Sequence, residues 1–412
     1  MSLPASAPGQ SRAQPRTVLI SGAGPAGLTL AYWLSRHGFS PTVVERAPGP
    51  RDGGQAVDIR GAAIEVAERT GILGALRQAR TRTRGMTYVG ATGKHLASMN
   101  AAFGVVDAAD VEIVRGDLVG ILYEAARSGT EYLFGDSVTG ITQTPDAVEV
   151  TFERAAPRSF DLVIGADGLH STVRAVAFGP ESQFARHLGM YLSVFTVAND
   201  MGLAHWQLIH VSPGKSVTVT SARDNTEARA IFFFASPPLD YGHRDTGQQQ
   251  ELLERAFAGQ AWQIPRLLAA MRDTPDFYFD SVSQVRMDNW SAGRVTLVGD
   301  AGYCPSPLSG QGTSLALVGA YVLADAVQAA DGDHGAAFAA YQRRMRDFVA
   351  LNQQIAIGNT KRFIPQTRRQ IWLQNQALKA LPYLPGKKLI LNLATKGVRE
   401  AADAIALEQT PG

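Results

Sequence analysis

Cysteine is nearly absent from this chain of 412 residues, which contains Cys304 and no other. A single cysteine excludes a framework of disulfides within the chain, and it fits a protein of the reducing cytoplasm. An excess of charge is lacking too, since 39 basic and 37 acidic residues give a formal net charge of +2. Because Lys and Arg are spread along the chain, we predict neither nucleic acid nor a membrane surface as a partner.

Long apolar runs and targeting signals are also missing from the sequence. No stretch approaches the ~20 apolar residues of a membrane span. Residues 1–16 are polar and contain proline, which favours a disordered lead over a signal peptide. No Ser-His-Asp set, metal-ligand set or pair of carboxylates stands out, and His205 and His210 fit core or pocket-lining positions better than ligand positions. We therefore predict no metal site and assign no catalytic side chain.

The strongest pattern lies near the N terminus, where a short β-branched run, residues 17–21, leads directly into the sequence GAGPAG. The spacing GxGxxG after a strand and before a helix is typical of dinucleotide-binding sites. Gly22 permits the tight turn, Gly24 lets the backbone approach a pyrophosphate, and Gly27 lets the helix pack on the strand. The sequence therefore predicts a strand, turn and helix built around a phosphate-containing ligand.

The helix predicted over residues 28–37 is preceded by Pro25 and Ala26. At this position free N–H groups and the positive end of the helix dipole can face phosphate oxygens. A second strand follows and ends in Glu45 and Arg46. Glu45 stands at the distance where an acidic side chain accepts hydrogen bonds from ribose hydroxyls, which supports a dinucleotide site.

Three charged positions further along could meet the same ligand. Arg51 and Asp58 lie in a loop rich in glycine and proline, where cofactor contact and ordinary solvated charge explain them equally well. The sequence predicts one helix over residues 62–80 and another over residues 111–127. Arg115 near the start of that second helix would be disfavoured by the helix dipole unless an anion lies nearby, so it indicates a phosphate.

Two later apolar runs also end in glycine and aspartate. One leads into GADG, which contains Asp167, and the other leads into Gly299 and Asp300. Asp300 can accept hydrogen bonds from two hydroxyl groups. The glycines that follow can bring backbone N–H groups onto an anion or a carbonyl at a helix start, and they are Gly310 and Gly312.

The middle and the end of the chain differ from this pattern. Residues 86–99 predict a hairpin, and residues 190–285 contain short β-rich segments separated by turns, as in an antiparallel sheet. Helices are predicted over residues 336–363, 368–381 and 396–407. We interpret their basic residues as a solvated face, in preference to a membrane contact.

These residues together resemble the FAD-dependent aromatic hydroxylases of the p-hydroxybenzoate hydroxylase fold, and more closely the tetracycline-inactivating monooxygenases. The resemblance covers residues 17 to about 348. It rests on three motifs: GAGPAG with Glu45 and Arg46, DLVIGADGLHSTVR, and GDAGYCPSPLSGQGTSLAL. It implies an α/β fold in which a Rossmann-like FAD-binding domain carries an inserted antiparallel-sheet substrate domain and C-terminal helices.

The resemblance also implies domain ranges and residue roles. Asp300 would meet the ribityl chain of FAD, Arg115 would lie beside FAD, Arg51 would approach the nicotinamide cofactor, and Asp58 would approach FAD. Tyr303 stands where the family commonly has histidine, which predicts an altered pocket beside the flavin. The implied domains are FAD-binding over residues 17–71, 101–178 and 285–332, substrate-binding over 72–100 and 179–284, and C-terminal helices over 333–412.

The implied activity is hydroxylation of a phenolic or enolic small molecule, similar to an aromatic polyketide or antibiotic. Reduced flavin would react with O2 to give a C4a-hydroperoxide, after NADPH or NADH had bound transiently and reduced FAD. Baeyer-Villiger oxygenation, a flavin dehydrogenase or halogenase, and a binding protein without flavin are the alternatives. Cys304 fits a packed small residue better than a covalent flavin anchor. We expect a monomer or weak homodimer.

Overall fold

The structure is a computed structural model that describes residues 16–51, 53–100 and 109–408. Apart from Arg16, the predicted disordered lead lies outside the described residues. Within them, a largely parallel sheet forms the first layer of the fold. Its spatial strand order is Ser291–Ala292 (β17), Val295–Leu297 (β18), Leu162–Gly165 (β11), Thr17–Ser21 (β1), Ser40–Glu45 (β2) and Glu131–Phe134 (β7).

A second, larger sheet is almost entirely antiparallel, apart from the parallel pairing of β13 with β4. It confirms the predicted α/β class with an inserted antiparallel sheet. Its spatial order is Tyr278–Val285 (β16), Ala185–Ala198 (β12), Glu227–Ala235 (β15), Lys215–Ala222 (β14), Trp206–Ser212 (β13), Gly85–Val89 (β4) and His95–Asn100 (β5).

Two small antiparallel sheets flank the first layer. One contains Val138–Gln143 (β8), Val148–Phe152 (β9) and Arg158–Phe160 (β10). The other pairs Ala56–Ile59 (β3) with Val111–Val114 (β6). The helices, in chain order, are Pro25–Arg36 (α1), Ala62–Arg69 (α2), Leu73–Gln78 (α3), Arg115–Ala126 (α4), Thr172–Ala177 (α5), Thr246–Phe257 (α6), Ile264–Met271 (α7), Asp300–Tyr303 (α8), Gly312–Ala329 (α9), His334–Phe363 (α10), Arg368–Ala380 (α11) and Lys387–Ala402 (α12).

Each sheet has its own apolar core. The first core joins β1 to α1, α9 and α10, with residues such as Leu28, Leu317 and Phe348 fully buried. The second core lies between the larger sheet and helices α6 and α7, around Phe232 and Phe257. Among the described helices, α9 is long and apolar enough to cross a membrane by composition, but 72% of it is buried inside the protein, as expected of a core helix.

Three predicted helices differ from the structure. The helix predicted over residues 62–80 is interrupted after α2, because Gly71 adopts a φ of +79° that ends it. Residues 111–114 form β6 instead of a first helical turn, since these β-branched residues bury against β3. The last helix runs from Lys387 to Ala402, not over residues 396–407, because Gly386 at φ +75° permits an earlier start.

The domain ranges remain a prediction. Strands β4 and β5, from the segment assigned to the substrate domain, pair in the larger sheet. Leu73 and Leu76 of α3, from the same segment, pack instead in the first core. The glycine turn, Glu45 and Asp300 follow the carboxyl ends of β1, β2 and β18, where a parallel sheet offers its ligand site.

Candidate functional site

The glycine turn after β1 is as tight as its spacing predicts. Gly22 adopts a φ of +107°, and a Cβ built on it would lie 2.6 Å from the carbonyl oxygen of Ala166. A Cβ built on Gly27 would overlap the carbonyl oxygen of Gly22. Side chains at these two positions would therefore collide with backbone, so both glycines build the turn itself.

Gly24 has a different environment from its two neighbours. A Cβ built there would meet one atom within 4 Å, Nη2 of Arg115 at 3.8 Å. Gly24 also caps α1, whose first turn contains Pro25 and Ala26 and has N–H groups without acceptors inside the helix. The space beside Gly24 is therefore open, and it faces helix-dipole donors and a guanidinium, which suits a phosphate group.

Glu45 lies at the end of β2, directly beside the glycine turn. Its Oε2 accepts a hydrogen bond of 2.9 Å from the N–H of Ala23, and its Oε1 accepts one of 2.9 Å from Ala47. Arg51 Nη2 lies 3.7 Å from Oε1 of Glu45, and 52% of the Arg51 side chain is exposed. Arg46 lies on the same rim. Partial burial of its side chain, together with the charge of Arg51, lowers its pKa. Glu45 keeps free lone pairs for further donors.

Arg115 begins α4 and extends its side chain toward Gly24. Burial lowers its pKa, and the charge of Arg51 lowers it further. Within the described part of the chain its guanidinium has neither a hydrogen bond nor a carboxylate within 4 Å. A buried cation at the positive end of a helix is unfavourable unless an anion compensates it. The charges of Asp300 and Glu45 act on Arg115 only from beyond 4 Å, so an anion bound beside Gly24 would be the nearest partner of its guanidinium.

Gly299 and Asp300 follow β18 on the other side of the open space beside Gly24, which we call the opening. Gly299 has a φ of +66° and Gly310 one of +65°, which bends the chain back toward the start of α9. A Cβ built on Gly312 would lie 3.9 Å from Oδ1 of Asp300. Burial raises the pKa of Asp300, while Cys304 and Arg115 act in the opposite direction. The carboxylate therefore stands between the first residue of α9 and the charge of Arg115.

Cys304 is buried next to Asp300. Burial raises the pKa of the Cys304 thiol well above its usual range, and the charge of Asp300 raises it further. The thiol lies 3.7 Å from the carbonyl oxygen of Ser283, which it can donate to. A protonated, buried thiol is a poor nucleophile, so these contacts favour a packed residue over a covalent flavin anchor.

Two predicted site residues have their carboxylates occupied within the protein. Asp167 accepts hydrogen bonds from Ser171 Oγ, Val173 N and Ser21 Oγ, so it fastens β1 to the start of α5. Asp58 forms an ion pair of 2.9 Å with Arg60, and burial raises its pKa to about 6. The contact of these two carboxylates with a cofactor remains a prediction.

Tyr303 corrects one expectation. We predicted that it would alter the pocket beside the flavin. Its side chain is instead 1% exposed and lies in the first core, where its hydroxyl accepts a hydrogen bond of 2.9 Å from Tyr341. Trp290 packs against its ring. Burial raises the pKa of Tyr303 to about 12, so it stays neutral and contributes packing.

The sequence analysis missed a polar cluster centred on His170. Its Nε2 lies 3.0 Å from the carboxylate of Asp280, and its Nδ1 lies 3.0 Å from that of Glu181. Burial opposes the charge of His170, but the hydrogen bonds that it donates to these two carboxylates raise its pKa to about 9. His170 is therefore an imidazolium at neutral pH, held between two anions from different parts of the chain.

His243 stacks on this imidazolium with a ring separation of 3.8 Å. Burial and the charge of His170 both lower the pKa of His243, so it stays neutral. Nitrogen and oxygen atoms of His170, His243 and Asp280 lie within 4.8 Å of one another, which is a distance suitable for a metal ion. Both nitrogens of His170 are already bonded to carboxylates, however, so a charged bridge explains the geometry better than a ligand set.

Tyr278 connects this cluster to the opening. Its hydroxyl lies 3.2 Å from Oδ2 of Asp280, and its ring is near Arg115 and Asp300. Although these groups surround it, 40% of the side chain is exposed, so Tyr278 lines a cleft. Polar residues in an otherwise apolar strand, as in FDSVSQV, were the sequence signal for this side of the site.

Comparisons with known proteins agree with this geometry. The FAD binding domain family matches residues 16–351. A flavin-dependent monooxygenase of Legionella longbeachae is 41% identical over 348 residues, covering 84% of this chain and 89% of the relative. An uncharacterized protein of Mycobacterium tuberculosis is 50% identical over 347 residues, covering 84% of this chain and 93% of the relative. The crystal structure of the tetracycline destructase Tet(51) superimposes with a TM-score of 0.85 at 35% identity, covering 96% of this chain and 100% of that one.

Proposed function

The chain belongs to the FAD binding domain family and is an FAD-dependent monooxygenase, and from this premise we propose that it hydroxylates a phenolic or enolic carbon of a multi-ring small molecule at the expense of NADPH or NADH. The observation that carries the proposal is Arg115, a half-buried cation with no carboxylate within 4 Å among the described residues, beside an open glycine turn. FAD would supply a diphosphate there, and reduced FAD would supply the activation of O2.

The residues of the opening fit FAD at three points. Gly24, the first turn of α1 and Arg115 would hold the diphosphate, because donors and positive charge converge there. Glu45 would accept from the ribose hydroxyls with the lone pairs that Ala23 and Ala47 leave free. Asp300 would accept from the ribityl chain. We propose further that Arg51, exposed on the rim, assists the approach of NADPH or NADH.

The substrate would lie between these residues and one face of the larger sheet. That face carries Leu192, Ile231 and Phe233, which pack toward Leu308 in the loop after α8. Phe232 and Phe234 of the same strand face the other way and are buried in the second core, and Trp206 donates its indole N–H to Thr87. Ile231 and Phe233 are the better candidates for a wall against a flat ligand.

The chain need not supply a nucleophile for this reaction. A carbon next to a phenolic or enolic oxygen is electron-rich, so it can accept an oxygen atom without a covalent bond to the protein. The protein has to bind and orient the substrate, and to exclude water from it. The likeness to a tetracycline destructase supports a multi-ring substrate of this kind. We also propose a monomer or weak homodimer of the cytoplasm, in line with the single buried thiol.

Oxygen labelling tests the proposed reaction. The FAD-loaded protein is incubated with NADPH, 18O2 and tetracycline, followed by other phenolic and enolic multi-ring compounds, and the products are analysed by mass spectrometry. We expect one labelled atom in a new hydroxyl group. Label within an ester or lactone would establish Baeyer-Villiger oxygenation instead. Release of peroxide without labelled product from any consumed substrate would refute monooxygenation.

A pair of substitutions separates the two cofactor roles. Asp300→Ala removes a charge-assisted hydrogen bond worth about 1.5–3 kcal/mol, so the FAD dissociation constant should rise roughly tenfold to hundredfold. Arg51→Ala should leave that constant unchanged and slow the anaerobic reduction of FAD by NADPH in a stopped-flow experiment. An unaltered FAD constant in Asp300→Ala would remove Asp300 from the site, and FAD loss in Arg51→Ala would reassign Arg51.

A further inference from the structure

Charge is unevenly divided along this chain although its total is close to zero. Residues 348–399 contain nine of the 39 basic residues and none of the 37 acidic ones. The remaining residues contain 30 basic and 37 acidic side chains, a formal charge of −7. The near-zero total charge, on which the prediction of no membrane partner rests, hides this division. The segment that ends α10 and contains α11 is therefore strongly cationic against an anionic body.

Exposed apolar side chains concentrate in the same segment. Eight large hydrophobic side chains are exposed among the described residues, and six of them lie within residues 348–399. Phe363 packs against Phe233 of the larger sheet, so it belongs partly to the sheet. No aromatic contact of this kind covers the exposed apolar side chains of α11 and of the turn that follows it, within the described chain. These side chains are Trp372 (58%), Leu373 (51%), Tyr383 (88%) and Leu384 (43%).

The geometry of α11 places its positive charges and its exposed apolar side chains on the same side of the helix, away from the sheet. Ile371 and Leu378, one face of the helix, are half-buried against the far edge of the larger sheet, near β5 and β13. At 3.6 residues per turn, Trp372 shares one flank of the helix with Arg368 and Lys379, about a quarter turn from that face. Arg369 and Leu373 lie on the opposite face, and all five side chains are exposed. Aromatic, aliphatic and basic side chains thus alternate on a surface that points away from the protein.

We propose that α11 and the turn Leu381–Tyr383 form a peripheral contact with the surface of an anionic lipid bilayer. Basic residues near such a surface gain electrostatic energy, and Trp, Tyr and Leu insert at the boundary between headgroups and acyl chains. A nucleic acid would attract the cations equally but would leave Leu373 and Leu384 against a polar backbone. The contact goes beyond the proposed monooxygenase activity and does not depend on it.

The position of the surface is compatible with catalysis on a membrane. α11 lies at the β5 edge of the larger sheet, whereas Tyr278 belongs to β16 at the opposite edge, beside Asp300. A bilayer seated on α11 would therefore leave the cofactor opening free. Apolar multi-ring compounds partition into bilayers, so a docked enzyme would meet such a compound at a raised local concentration.

Sedimentation with vesicles tests the contact. The FAD-loaded full-length protein is mixed with vesicles of phosphatidylcholine alone, or of phosphatidylcholine and phosphatidylglycerol in equal parts, and the pelleted flavin is measured. We expect binding to the anionic vesicles that weakens as salt is added, and little binding to the zwitterionic ones. Absence of binding to anionic vesicles at low salt would overturn the proposal.

Matched variants locate the contact on α11. Arg368→Gln, Arg369→Gln and Lys379→Gln together should weaken binding roughly hundredfold, at about fivefold for each basic residue near the surface. Trp372→Ala with Leu373→Ala should weaken it roughly tenfold and reduce the fraction that stays bound at high salt. The control carries Arg255→Gln, Arg266→Gln and Arg272→Gln, three exposed arginines near α6 and α7, and should bind as the parent does.

Other occupants of the surface give different results in the same variants. Binding to duplex DNA that is tighter than to anionic vesicles, and that the α11 charge variant abolishes, would assign the surface to nucleic acid and refute the lipid contact. A dimer in solution that dissociates on Trp372→Ala with Leu373→Ala would assign it to a second copy of the chain. Equal loss of vesicle binding in the control variant would show that total charge, and not α11, is responsible. FAD content and the unfolding temperature establish that each variant is folded.

Discussion

Replacing Gly27 by alanine should abolish FAD binding and destabilise the protein by more than about 4 kcal/mol, a loss that few single substitutions cause. The added methyl group would overlap the carbonyl oxygen of Gly22, which is backbone and cannot rotate away. Relief requires α1 to move off β1, and α1 also packs against α9 through the first core. We expect the variant to unfold at a much lower urea concentration than the parent, and to be colourless.

Gly24→Ala is the matched comparison, because it adds the same methyl group three residues earlier, where the side chain would enter open space. Its Cβ would meet only Nη2 of Arg115, at 3.8 Å, so the protein should keep its stability without FAD. FAD affinity should nevertheless fall, since the methyl group occupies the approach of the diphosphate. Equal stability of Gly27→Ala and the parent would contradict the packing of α1 described above. Unchanged FAD affinity in Gly24→Ala would place the diphosphate elsewhere.

The free energy of unfolding should fall as pH rises from about 6.5 to about 9, by on the order of 2–3 kcal/mol, because of His170. Its pKa in the folded protein is about 9, above the value of about 6.5 in an unfolded chain. A group with a raised folded pKa stabilises the protein fully below its unfolded pKa and loses that contribution as pH passes through the folded value. Urea unfolding monitored by circular dichroism, at half-unit steps of pH, measures this slope.

His170→Gln should remove the slope between pH 6.5 and pH 9. It should also destabilise the protein at pH 6.5 by about 3–5 kcal/mol, since Asp280 and Glu181 would lose the cation between them. His243→Gln is the control, because burial and the His170 charge lower the pKa of His243 below its usual value, so it contributes little to the slope in this range. It should preserve the slope. A parent protein whose stability does not change between pH 6.5 and pH 9 would refute the charged bridge.

The parts of the site that sequence predicts well are those in which one short segment carries the whole signal. GAGPAG specifies its turn through local backbone requirements, and Glu45 follows at the end of the neighbouring strand, so its position beside Ala23 is fixed by pairing of β1 with β2. Arg115 stands out in the sequence because a cation at a helix start is unfavourable by itself, and in the structure its guanidinium faces the open space beside Gly24. These inferences need few contacts between distant residues.

The cluster around His170 shows what sequence does not provide. His170 and Asp280 are separated by 110 residues, and they meet because the loop after β11 of the first sheet lies beside β16 of the larger sheet. Tyr303 shows the opposite error. Its motif predicts a residue of the pocket, but its side chain lies in the first core. Periodicity indicates which residues are buried, but not which buried polar groups find each other. Such pairs follow from the packing of one sheet on another.

The order of strands in the first sheet has a consequence for synthesis of the chain on the ribosome. β1 lies between β11 and β2, and β18 adds to β11 from residues 295–297, while Asp300 follows directly. The glycine turn therefore leaves the ribosome long before the strand and the aspartate that complete its opening. At roughly 5–20 residues per second, the interval is about 15–60 s. During that time the nascent chain exposes an unfinished sheet edge to chaperones and proteases, so cells short of chaperone should lose this enzyme before they lose proteins whose sheets form from consecutive strands.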